Sequence, residues 1–265
     1  MILAFDIGNT NIVMGGLEKQ ETRFLTRMST SLDKTEAEYT VLVKELLDIY
    51  RVDPAGMEGA IIASVVPPLI SVFRNVVQTL TGREAMVVGP GMKTGLNIAV
   101  GDPRELGADL VVAAVAALAK YPRPQILLDM GTATTFSVID REGYFRGVVI
   151  CPGAMVSFDA LTERTAQLPR ISVDEPPQVI GTTSVESMQS GLIFGSAAMV
   201  DGLIDRIEEE LGEPCTVVST GGLSPRIVPH CRHRVVNDDE LLLDGLRILY
   251  EKNKPKNKRK GGKES

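Results

Sequence analysis

The chain has 265 residues, 44 % of them hydrophobic and 5 % aromatic, enough apolar material for one large domain or two modest ones whose core needs no cross-links. Three cysteines without paired spacing exclude a secreted disulfide scaffold and point to a reducing, cytoplasmic compartment. The net charge of −6 divides unevenly, because residues 252 to 265 hold seven Lys/Arg against the single Glu264 and leave the first 251 residues at −12. With Pro255, Gly261 and Gly262 and no aromatic side chain, that basic string is expected to be a solvated, disordered tail, with no nucleic-acid partner. No apolar run approaches the roughly 20 residues of a membrane span, and Met1 to Asp6 meets an acid before any base, so neither a membrane segment nor a secretory signal is expected.

Residues 2 to 5 are an apolar run that ends at Asp6-Ile-Gly-Asn-Thr-Asn11, and Ile12 to Met14 resume apolar character before Gly15-Gly16. This pattern predicts a strand, a tight turn and a second strand. From Thr35 to Tyr50 the apolar positions Tyr39, Leu42, Val43, Leu46, Leu47 and Tyr50 recur at three and four, with Glu36 and Glu38 near the start, which predicts an amphipathic helix. A buried strand over 60–66 stopped by Pro67-Pro68, a helix over 69–80 and a short strand over 85–88 complete an α/β alternation. An alanine-rich helix is predicted over 108–119, then a strand over 125–129, an apolar run at 216–219 before Gly221-Gly222, and a leucine-rich helix over 239–251. His230, Cys231 and His233 lack a second Cys/His pair at zinc spacing and read as a polar loop, whereas Cys151 and Cys215 read as small packing residues.

One segment repeats another. Asp129-Met-Gly-Thr-Ala-Thr-Thr135 has the logic of Asp6 to Asn11: an apolar strand delivers an Asp, then one spacer, a Gly, and small hydroxyl or amide side chains leading into another strand. The Gly lets backbone amides approach phosphate oxygens, Thr and Asn hydrogen-bond them, and the carboxylate holds a hydrated Mg²⁺ between them. A single such loop reads more readily as an ordinary hairpin turn, since Asp-x-Gly is common in turns. Two at matching places, with a Gly-Gly turn after a third strand, read as a duplicated α/β fold with a polyphosphate cleft. The expected units are residues 1–112, with the first loop, and residues 113–251, with the second. No GxxxxGK[ST] sequence occurs, which excludes a P-loop.

The arrangement resembles the superfamily of acetate kinase, hexokinase and actin, built of two actin-like (ribonuclease H-like) domains around an ATP cleft. Within it the chain is similar to type III pantothenate kinases. The residues that carry the resemblance are Asp6 to Asn11, Ala63-Ser-Val-Val-Pro-Pro68, Lys93-Thr-Gly-Leu-Asn-Ile98, Gly107-Ala-Asp109, Asp129 to Thr135, Pro152-Gly153, Met188-Gln-Ser-Gly191 and Thr220-Gly-Gly222, in family order. The resemblance implies ATP-dependent phosphorylation of the primary hydroxyl of pantothenate, the first step toward coenzyme A, by a homodimer with substrate near the subunit interface. It implies an ATP phosphate loop at Asp6, Ile7, Gly8, Asn9, Thr10, Asn11, Ile12 and Val13, with Asp6 meeting Mg²⁺ through the phosphates. It further implies a second ATP contact at Thr132, a monovalent cation (K⁺ or NH₄⁺) at Asp129, a catalytic base at Asp109, and substrate contacts at Gly107, Ala108, Asp109, Leu110 and Ser184.

The chain departs from that pattern on the acceptor side. Leu110 stands where the family has Arg, removing five donors and a charge from a place expected to meet an anion. Val148 stands for Gly, Ala99-Val100 replace an aromatic, and Ser184 stands for Thr with its hydroxyl kept. These changes leave two other readings open: a nucleotide-binding regulatory homologue, or a kinase for a different, uncharged alcohol.

Overall fold

The computed structural model describes residues 1–255. In chain order its elements are β1 (Ile2–Ile7), β2 (Asn11–Glu18), β3 (Glu21–Ser29), α1 (Glu36–Ile49), β4 (Gly59–Ser64), α2 (Pro67–Thr81), β5 (Ala85–Val87), β6 (Asn97–Ile98), α3 (Ala108–Lys120), β7 (Gln125–Met130), β8 (Ala133–Ile139) and β9 (Tyr144–Pro152). They continue as α4 (Ala154–Glu163), α5 (Ser184–Ser190), α6 (Ser196–Leu211), β10 (Thr216–Thr220), α7 (Ser224–Ile227), β11 (Val235–Asn237) and α8 (Leu241–Asn253). No helix among the described residues is long and apolar enough to cross a membrane.

The two sheets have the same wiring. The first runs β3-β2-β1-β4-β5, and the second runs β11-β10-β7-β8-β9-β6, so an antiparallel three-strand meander is followed in each by strands added parallel to the first. The second sheet carries one further strand, β6, paired with β9. The duplication expected from the two Asp-containing turns is thus present in the topology.

Side-chain alternation decides which way each strand faces. In β1, Leu3, Phe5 and Ile7 pack on α1 and α2 through Tyr39, Val43, Leu47, Phe73 and Val76. Ile2 and Ala4 face the other way, toward Leu243, Leu246 and Leu249 of α8 and Val112 and Val115 of α3. In the second sheet Leu127, Ile139, Phe145 and Val218 meet α3 at Ala113, Ala114, Ala116 and Ala117, while Ile126, Leu128 and Phe136 pack on α6. The helices α3 and α8 therefore form the layer between the sheets. Their close approach depends on small residues, since a Cβ at Gly245 would fall 2.1 Å from the carbonyl oxygen of Val112. Lys120 at the end of α3 pairs with Asp238 (2.7 Å) and Asp244 (2.5 Å), and Tyr121 donates to Asp238 (2.7 Å), which fixes the same layer electrostatically.

Several sequence expectations change here. Pro67 and Pro68 open α2 at its first two positions, where a missing N–H costs nothing, and do not merely end β4. The chain from Lys252 is not all tail: Lys252 Nζ donates to the Thr94 carbonyl (2.7 Å), and the Asn253 amide donates to the Lys93 carbonyl (3.0 Å), both from the last turn of α8. The rest of the expected tail, residues 256–265, lies outside the described residues. The helix α8, assigned by sequence to the second unit, packs on the first sheet, and β6, assigned to the first, pairs in the second. His233 bonds Asp205 (2.8 Å), and His230 lies beside Glu175 (3.7 Å) and the edge of Phe194. Burial pushes the thiols of Cys215 and Cys231 up, to about 11 and about 12, so both stay protonated at neutral pH.

Candidate active site

Alternation on β1 puts Asp6 on the face of Ile2 and Ala4, and alternation on β7 puts Asp129 on the face of Gln125 and Leu127. Both faces look at the α3/α8 layer, so the two aspartates confront each other from the ends of equivalent strands. Between them lies the first turn of α3, which contributes Asp109. Registers confirm the equivalence: Asp6 is opposite Val13 on β2 and Ala63 on β4, and Asp129 is opposite Thr135 on β8 and Thr220 on β10.

Each strand end is followed by a tight turn closed by a glycine N–H, the second turn one residue shorter than the first. The Gly8 N–H donates to the Asn11 carbonyl (3.0 Å), and the Gly131 N–H donates to the Ala133 carbonyl (3.0 Å). The first turn is braced by Thr30, whose hydroxyl donates to the Gly8 carbonyl (2.7 Å) and whose N–H donates to the Thr10 carbonyl (2.9 Å). The second is braced by Gly153, whose N–H donates to the Thr132 carbonyl (3.1 Å); a Cβ there would stand 2.4 Å from that oxygen. The turns touch across the cleft through the Thr10 and Thr132 hydroxyls, 2.7 Å apart. At the third strand end Gly221 has φ +98°, and a Cβ would lie 2.7 Å from Asp129 Oδ1, so glycine is required on both counts.

The electrostatics are one-sided. Burial, then the charges of Asp109 and Asp129, raise the Asp6 carboxyl from 3.8 to about 8. Burial, then Asp109, raise Asp129 to about 6. Asp109 is also raised by burial, although its Oδ1 accepts the Leu110 N–H (2.8 Å) at the start of α3, which pulls the other way. Asp109 thus both accepts a hydrogen bond at the start of α3 and stands close enough to the other two carboxylates to raise them. None of the three forms an ion pair with a basic side chain among the described residues. No group of three acids or histidines among them is close enough to share one metal ion directly. The carboxylates could still hold a divalent ion together with water and phosphate oxygens, the ligand set of a metal-nucleotide complex.

Of the residues expected at the site, Asp6, Asp109 and Asp129 come together and Thr10 meets Thr132, whereas Ile7 and Ile12 are fully buried in the core on the α1/α2 side and do not face the cleft. Gly107 and Ala108 form the start of α3, where a Cβ on Gly107 would meet Asp109 Oδ1 at 2.3 Å. Leu110 is half-buried beside Asp109. Val148 is opposite Ser137, on the sheet face that carries Asp129. Ser184 is exposed as the first residue of α5 and shares no hydrogen bond with the carboxylates. Sequence reasoning missed the bracing roles of Thr30 and of the Gly153 backbone; the Pro152-Gly153 pair was visible, but its contact with the second turn was not.

Two sheets of the same wiring, with facing hairpin turns and carboxylates at equivalent strand ends, define the two-domain actin-like fold. The activator of 2-hydroxyisocaproyl-CoA dehydratase from Clostridium difficile, solved with bound ADPNP, has this fold: the TM-score is 0.54 at 12 % identity, covering 92 % of this chain and 91 % of that one. Residues 2–206 match the family model of type III pantothenate kinase. A type III pantothenate kinase from an Exiguobacterium species is 46 % identical over 253 residues, covering 96 % of this chain and 99 % of the relative. One from Anaeromyxobacter dehalogenans is 44 % identical over 254 residues, covering 96 % and 100 %. The chain belongs to the type III pantothenate kinase family.

The raised carboxyl of Asp6 has a consequence for stability. Its folded value, about 8, lies above the 3.8 of the unfolded chain, so its contribution is fully present below pH 3.8 and is lost as pH rises through 8. Asp6→Asn removes the buried charge. In urea titrations of the nucleotide-free protein the variant is expected to match the parent near pH 4 and to exceed it above pH 8, while turnover falls about 100-fold or more. Equal stability of the two proteins above pH 8 would contradict the assignment.

Proposed function

We propose that this protein transfers the γ-phosphoryl group of ATP to the primary hydroxyl of pantothenate, giving 4'-phosphopantothenate, the first step of coenzyme A biosynthesis. The observation that carries the proposal is the meeting of two phosphate-type turns, joined through Thr10 and Thr132, over three carboxylates without basic partners. Membership of a kinase family brings ATP and a divalent metal with it. In this reading the amides and side chains of Asp6 to Val13 and the Thr132 hydroxyl cradle the phosphates, with Asp6 facing Mg²⁺. Asp109 takes the acceptor's proton, a role helped by burial, which raises its carboxyl above the ordinary aspartate value. Asp129 holds a monovalent cation, K⁺ or NH₄⁺. When bound, these cations supply the positive charge that the chain's own side chains do not. Gly107, Ala108, Asp109 and Leu110 line the acceptor end.

We further propose a homodimer that encloses the acceptor. Ile150, Val156, Leu161, Val179, Ile180 and Val185 are exposed apolar side chains along β9, α4 and the approach to α5, the stretch that ends at Ser184. Ser184, exposed as the first residue of α5, would lie at that covered face. Sedimentation of the intact protein as a monomer at micromolar concentration would exclude this arrangement.

The acceptor end favours a slow reaction with an anionic substrate. Leu110 offers no charge, and Arg104, the nearest cation in sequence, is exposed and committed to Asp102 (2.8 Å). A missing charged hydrogen bond costs roughly 2 kcal/mol or more, about 30-fold in kcat/KM. Leu110→Arg, alone or with Val148→Gly, is expected to raise kcat/KM for pantothenate by that factor, read as ADP formed with K⁺ and Mg²⁺ present. ADP formation that ignores pantothenate in the parent and in both variants would overturn the kinase proposal in favour of a nucleotide-binding regulator. Leu110 and Val148 are the observations that favour that second reading.

A further inference from the structure

The duplicated fold contains its own comparison. Asp6 and Asp129 occupy equivalent strand ends, yet their cross-strand neighbours differ in kind. Asp6 lies between Val13 and Ala63, both apolar, whereas Asp129 lies between Thr135 and Thr220, both hydroxyl-bearing. Residues directly opposite on adjacent strands project from the same face, with Cβ atoms about 4.5–5.5 Å apart. Around Asp129 the sheet therefore presents hydroxyl, carboxylate and hydroxyl in one row, and around Asp6 it presents a carboxylate alone.

Thr135 is distinguished further by its hydrogen bonding. Its Oγ1 is buried without a partner, one of two such side-chain atoms among the described residues; the other is Gln125 Oε1. Gln125 lies four residues back along β7, roofed by α3, with its amide bonded to the carbonyls of Ala117 (3.0 Å) and Tyr121 (2.7 Å). Thr135 lies instead at the cleft end, beside Asp129. An unsatisfied buried hydroxyl costs about 1–3 kcal/mol, so its retention calls for a partner that arrives with function. Beside a carboxylate with no basic neighbour, the partner that accepts oxygen lone pairs is a cation.

We propose that Thr135 would supply, through its Oγ1, a further ligand of the monovalent cation at Asp129, and that this hydroxyl helps set the preference for K⁺ over Na⁺. The proposal rests on the cation reading of Asp129 given above. The Thr135 hydroxyl proton then points away from the ion, and no proton is transferred.

The test uses the full-length protein without substrates, titrated with K⁺ or Na⁺ at constant ionic strength against a bulky organic cation, with the melting temperature as readout. Thr135→Val keeps shape and strand propensity while deleting the oxygen. It is expected to weaken the K⁺ constant about tenfold or more, in the range typical for groups that tune metal sites, and to shrink the K⁺/Na⁺ difference. Thr135→Ser is expected to stay within about twofold of the parent. Should the valine variant fail to fold, Thr135→Ala serves the same comparison. A valine or alanine variant with the parent's K⁺ constant overturns the proposal, as does one whose sole change is a raised KM for pantothenate. Asp129→Asn separates the two levels. If it abolishes the K⁺ shift while Thr135→Val does not, only the Thr135 proposal falls. If the parent shows no K⁺ shift, the cation reading falls and takes the proposal with it.

Discussion

Three carboxylates are held at one end of a helix layer with no basic side chain among the described residues paired to them, and their mutual repulsion is what the surrounding structure has to resist. Burial and the neighbouring acids lift Asp6 to about 8 and Asp129 to about 6, so at neutral pH the repulsion is relieved mainly by a proton on Asp6. The opposing forces come from packing. The helices α3 and α8 fill the space between the sheets with alanine and leucine, and the contact of Gly245 with Val112 permits their close approach. At the far end of α3, Lys120 with Asp238 and Asp244 forms a compensated cluster. The same helix layer therefore has a neutralised end and an uncompensated one, and the chemistry belongs to the second.

Much of this arrangement was legible because the turns are local. Asp-x-Gly followed by Thr or Asn after an apolar run is a short-range signal, and its recurrence at Asp6 and Asp129 revealed the duplication before any contact was known. The amphipathic spacing of Tyr39, Val43 and Leu47 similarly located α1. What escaped depended on distant partners. The strand β3 mixes Arg23, Thr26 and Arg27 with Phe24 and Met28, and a register shift between Gly16 and Leu17 interrupts its pairing, so its half-buried character emerges only beside β2. The docking of α8 on the first sheet was equally invisible, since Leu243 and Leu246 would suit any core. The segment containing Thr135 stood out in the sequence, but its place opposite Asp129 is a matter of register, which no local pattern encodes.

Fold and site differ in what they constrain. The sheets, the turns and the glycines at 153 and 221 follow from backbone requirements visible in the fold itself. The acceptor end depends on individual side chains, and there Leu110 and Val148 present apolar surface where an anionic substrate would gain from charge. In the proposed reading the phosphate side is specified more fully than the acceptor side, and substrate preference would turn on a few residues at the start of α3 and along β9.

The central claim is that cations delivered with the nucleotide replace protons held by the buried carboxylates. Calorimetry of magnesium-nucleotide binding near pH 7, repeated in buffers of different ionisation enthalpy, counts the protons exchanged. The account expects release of about one proton per site at pH 7, because Asp6 is protonated below about 8 and must ionise to face the metal. Tight binding with no proton release at that pH would contradict it.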